Sequence, residues 1–201
     1  MPELSKWANV ALLARAGRLL QPTLQHTWQQ APPDALALYD RALALCETCA
    51  ANARMENSLS QVETELTMLV GKFELHFHGP PAGITRPLPS FEAFRPHIPE
   101  SDADARNISD ILDVGARGVR VASAIDAQSI EQETMDGLSW AYSVMESIDN
   151  PTLAETLTAN TNELNIECAT KSAGDSSTVQ WVDGRWSLSL GHKPWWLFWK
   201  G

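Results

Sequence analysis

Two histidines, His76 and His78, have the spacing best suited to holding a metal ion or sharing acid–base work. They sit in Lys72-Phe-Glu-Leu-His-Phe-His78, where Phe73, Leu75 and Phe77 alternate with Lys72, Glu74, His76 and His78. That alternation predicts a half-buried strand over 72–78. On a strand, residues i and i+2 share a face, so both imidazoles would reach one ion. His97, Glu100, Asp102 or Asp104 would then complete the ligand set from the following loop. The simpler reading is two polar residues on the solvent face of an edge strand. No HxxxH or HExxH pattern supports a metal, and no cofactor is expected.

Cys46-Glu-Thr-Cys49 is a CxxC, a spacing that suits a redox pair or half a zinc site. It lies inside a long helical pattern, with no preceding strand and no second CxxC. Two small, partly buried residues are the better reading. The chain contains no GxxxxGK[ST], no GxGxxG and no GxSxG, so no recognisable motif places a phosphate loop or a nucleophile elbow.

Two further groups suit binding better than catalysis. Glu100, Asp102, Asp104, Asp110 and Asp113 make an acidic cluster that could meet a basic partner. Its bland alternative is a dipole-stabilised helix start with a solvated face. Trp195, Trp196 and Trp199 close the chain as an aromatic segment. Exposed, it would anchor an interface; buried, it would complete a core.

These groups must be positioned by elements. Residues 3–20 read as an amphipathic helix closed by Pro22, with a short further helix over 23–30. Pro33 starts a second helix over 34–53, with Leu36, Tyr39, Leu43 and Cys46 on its buried stripe. A third covers 55–70, with Leu59, Val62, Leu66 and Leu69 inside and Gly71 as its C-cap. Six prolines between 80 and 99 predict an irregular loop. Ser101 to Asp104 looks like an acidic, capped start for a helix running to about 124. Helices over 129–148 and 152–162 follow, then a short strand at 164–168.

Val179-Gln-Trp-Val-Asp-Gly-Arg-Trp-Ser-Leu188 predicts a hairpin, because Asp183-Gly184 suits a type I′ turn. That turn sets Trp181 opposite Trp186 and Val179 opposite Leu188. The expected fold class is therefore α+β and predominantly α-helical: a helical bundle packed on a small antiparallel sheet with a C-terminal β-hairpin. One domain over 1–201 is expected, with an N-terminal helical region over residues 1–70, a strand and loop over 71–100, helices over 101–163 and terminal strands over 164–201.

Composition bounds the function. The chain has 201 residues, 44% hydrophobic and 20% charged, which suits a globular protein with a real core. Its formal charge is −10 and no basic stripe is visible, which disfavours free nucleic acid or an anionic membrane surface as partner. Three cysteines and no secretory signal pattern point to reduced thiols in the cytoplasm. The blend of small size, acidity and eight tryptophans resembles that of bacterial immunity and inhibitor proteins. The expected function is non-catalytic: an inhibitor or immunity-type protein occluding a basic protein partner. The alternatives are a metal-dependent enzyme using His76 and His78, and an assembly subunit docking through its C-terminal aromatic segment.

Overall fold

The computed structural model describes residues 4–80, 89–148, 152–156 and 158–159, together with the backbone of 177–182 and 185–190. Among the described residues the fold is helical. The helices are α1 (Lys6–Thr27), α2 (Pro33–Asn52), α3 (Leu59–His78), α4 (Pro89–Phe94), α5 (Asp102–Ser123) and α6 (Ala127–Ser147). A 3-10 turn, Arg95–His97, follows α4. Residues 152–156 and 158–159 are also helical.

The N-terminal helix is nearly all core. Ser5 caps it, its hydroxyl accepting from the Ala8 amide. An unbroken run from Trp7 to Gly17 is buried, so α1 has neighbours on every side: α2, α5 and α6 all pack on it. In place of the expected end at Pro22, α1 continues through the proline to Thr27. Proline costs one backbone hydrogen bond there. Full burial of Leu20 before it, and of Leu24 and Trp28 after it, offsets that loss.

The second central helix is α5. Ser101 accepts from the Asp104 amide at its start, and Asp102 and Asp104 place negative charge on its positive dipole end. Ile108, Ile111, Leu112, Val119 and Ala122 are all buried, on a face that meets α1, α2 and α3, while α6 covers its flank. Glycines on both central helices make room for neighbours: Gly17 and Gly115 lie against Tyr39 of α2, and Gly118 lies against Cys46 of α2 and Leu13 of α1.

The expected strand over 72–78 is corrected: these residues are the last two turns of α3. Leu59, Val62, Leu66, Leu69 and Phe73 are all buried at steps of three and four, so the helical stripe simply runs on. The alternation over seven residues is a subset of a longer helical pattern. Gly71, expected as the C-cap, is mid-helix. The cap is Gly79, at φ 73°, its amide donating to Leu75 O at 3.0 Å. That left-handed geometry favours glycine.

The proline-rich segment also differs from expectation. Pro89–Phe94 is helical, with its proline at the tolerated helix start. Phe94 joins Trp28 and Phe73 in a buried trio of edge-on rings, with centroids 5.5 to 6.2 Å apart. Residues 81–88 lie outside the described residues.

The α+β class, with its sheet and C-terminal β-hairpin, is corrected to a helical fold. No strand occurs among the residues from 4 to 159 that are described. The strand at 164–168 lies outside them. Backbone pairing between Ser177–Val182 and Arg185–Leu190 is antiparallel and confined to those two segments. The core lies where α5 meets α1, α3 and α6 and where α1 meets α2. Helix on helix is therefore the arrangement that buries the core.

Candidate functional site

Residues 102, 106, 110, 113, 117 and 120 follow at intervals of four, four, three, four and three, so they share one face of α5. All six are charged: Asp102, Arg106, Asp110, Asp113, Arg117 and Arg120. The opposite face of α5 is apolar and buried, which turns this stripe towards the flanks where α3 and α6 lie.

The C-terminal half of the stripe is a closed ion-pair network with α6. Arg117 Nε donates to Asp113 at 2.7 Å, and its Nη1 reaches Glu133 at 2.9 Å and Asp136 at 3.0 Å. Arg120 bonds Asp113 at 2.8 Å and Glu133 at 3.1 Å. Burial alone would lower the Arg117 pKa, but the Asp113 bond and the charges of Glu133 and Asp136 outweigh it and raise it. Two guanidinium groups thus hold three carboxylates, and Asp113 is committed within the fold.

The N-terminal half faces α3 and is less compensated. His76 Nε2 lies 3.3 Å from Asp102 Oδ1. Arg106 rests on the Phe77 ring, 4.8 Å from its centroid. Asp110 is half-buried, and no described side chain donates a hydrogen bond to it. Burial pushes its carboxyl up to about 6; Arg106 opposes that shift, while Asp113 and Glu74 add to it.

The sequence-derived candidates therefore separate. Asp102 and Asp104 sit at the α5 N-terminus, and Glu100 is exposed just before it. Asp110 and Asp113 lie further along the same helix, one uncompensated and one fully paired. Trp195, Trp196 and Trp199 lie outside the described residues. Arg106, Arg117, Arg120, Glu74, Glu133 and Asp136 are additions that the sequence reading does not contain. The spacing of α5 charges carries a signal for the three arginines; the partners from α3 and α6 cannot be read from spacing.

The histidine site does not form. On a helix, residues two apart point about 200° from each other. His76 turns to Asp102, and His78 turns back to Glu74 at 3.3 Å. His97 faces elsewhere, its Nδ1 2.6 Å from Gln30 O. Among the described residues, no group of three or more His, Cys, Asp or Glu could hold a metal ion.

Cys46 and Cys49 are both free and fully buried. Burial raises both thiols above their ordinary pKa, with added repulsion from Cys49 on Cys46. Thiolate is the reactive form. Native protein is therefore expected to leave both unlabelled by a water-soluble disulfide reagent over minutes, with labelling gained only on unfolding. Rapid native reaction at either residue would show an opening that the packed helix does not contain.

Among the described residues no helix is long and apolar enough to cross a membrane. The chain matches no protein-family model, no curated protein and no solved structure.

Proposed function

We propose that this chain is a non-catalytic protein-binding protein, of the inhibitor or immunity type, which occludes a basic protein partner with the acidic stripe of α5. The observation that carries this reading is the charge imbalance along that stripe. Glu74, Asp102, Asp110, Asp113, Glu133 and Asp136 gather there against Arg106, Arg117 and Arg120. The surplus lies at the end nearest α3. A lysine or arginine from a partner would relieve Asp110 and complete a network that the described residues leave short of cation. The net charge of −10 would steer such a partner at low ionic strength. Reduced, buried thiols fit the cytoplasm as the place of action.

Charge reversal of two exposed positions tests this. Glu74→Lys with Asp102→Lys leaves the core untouched. Affinity capture from native-host lysate with the parent chain should retain one dominant basic protein at low salt and release it at high salt. The double variant should lose that protein by at least about tenfold, the effect of about 1.4 kcal/mol. Equal retention by the variant, or no basic protein at all, overturns the reading.

A further inference from the structure

The Phe77 ring is the hub of the contact between the end of α3 and the start of α5. Arg106 covers its face, and His76 stands edge-on to it with ring centroids 5.1 Å apart. Asp110 lies one helical turn beyond Arg106, at the i,i+4 spacing at which opposite charges pair on a helix. Yet Arg106 forms no ion pair among the described residues and lies on the aromatic ring instead. The charged groups acting on Asp110 are Arg106 and Asp113 of its own helix and Glu74 of α3; none from α1, α2 or α6 does so among the described residues. Asp113 is already held by Arg117 and Arg120.

We propose that this seam is a pH-responsive joint, in which ionisation of Asp110 draws Arg106 off the Phe77 ring and loosens the last turns of α3 from α5. With Asp110 neutral, its half-buried carboxyl places no demand on Arg106, and the guanidinium keeps its cation–π contact. Once ionised, the carboxylate has no hydrogen-bond donor among the described side chains and stands among Asp113 and Glu74. Among the described residues, Arg106 is the one cation within a helical turn that is free of other ion pairs. Its move to Asp110 uncovers Phe77, and the new charge repels Glu74 on α3. The joint acts within one chain and does not depend on a partner.

The sign follows from linkage. The folded carboxyl titrates at about 6, whereas an unfolded aspartate titrates near ~3.9. The folded chain therefore keeps a proton that the unfolded chain has released. The stability this confers is complete below the unfolded value and is lost as pH rises through about 6.

Carboxyl carbon NMR of the full chain, titrated from acid to mildly alkaline pH, tests the joint. Asp110 should titrate with a midpoint near 6, and the Phe77 ring and Arg106 Nε–H resonances should shift with the same midpoint. In Asp110→Asn those two shifts should vanish, and the thermal midpoint should fall less with rising pH than in the parent. In His76→Gln they should persist. An Asp110 midpoint in the ordinary carboxylate range overturns the proposal. So do Phe77 shifts that survive Asp110→Asn but disappear in His76→Gln. Should Asp110→Asn not fold, the parent titration alone decides.

Discussion

Alanine in place of Gly115 should destabilise the protein by about 2 kcal/mol, although alanine is by far the better helix former. A Cβ on Gly115 would lie 2.6 Å from Tyr39 Cε2 and 3.0 Å from its Cδ2. Flexible side chains can give way at such distances, but Tyr39 cannot. It is fully buried, its hydroxyl donates to Gly17 O at 3.2 Å, and a Cβ on Gly17 would sit 2.9 Å from that hydroxyl. The ring is held between α1 and α5 like a shim, and glycines on both helices make its slot. Chemical denaturation of the variant gives the number. Propensity alone would make the variant more stable by about 1 kcal/mol, so a gain of that size would refute the slot. Tyr39→Leu in the same background should recover some of the loss, with a coupling of about 1–2 kcal/mol.

Arg117→Met should cost about 3 kcal/mol, the other large effect expected here. Arg117 and Asp113 are only 16% and 17% exposed, so the carboxylates around them have little water to fall back on. Methionine keeps the stem that packs beside Gly137 but leaves Asp113, Glu133 and Asp136 with Arg120 as their one cation among the described residues. Three carboxylates crowded so closely repel one another, and added salt should narrow the deficit by screening that repulsion. Denaturation at several salt concentrations separates this from lost packing, which would be indifferent to salt. A deficit that does not change with salt would place the role of Arg117 in its stem.

Both predictions concern contacts between elements distant in sequence, where local patterns stop being informative. The buried stripes of α2 and α5 are legible, since Tyr39, Leu43 and Cys46, and Ile108, Ile111 and Leu112, recur at helical spacing. So is the start of α5, where Ser101 and its acidic neighbours match the orphan amides of a helix end. The stretch 72–78 is misleading. Phe73, Leu75 and Phe77 fit a strand locally, but Phe73 also extends the stripe from Leu59 to Leu69. Cooperative extension of an established helix prevails over a pattern of seven residues. The histidine pair falls with the strand that would have aligned it.

The candidate site divides in the same way. Acidity near residues 100–113 is plain in the sequence, and so is the cation content of α5. Asp113 is matched within α5 itself by Arg117 and Arg120, whereas the arrival of Glu133 and Asp136 from α6 on those same arginines, and of Glu74 from α3 beside Asp110, comes only with the tertiary fold.

By itself, then, the sequence determined those things that act over one or two helical turns: most helices, their caps, their apolar faces and the net charge. Only the tertiary structure decided that α1 runs through Pro22, that α3 keeps 72–78, and which carboxylates of α3 and α6 join the charges of α5. Each of these depends on burial or Coulomb interaction between residues on different helices. Local periodicity carries no information about those distances.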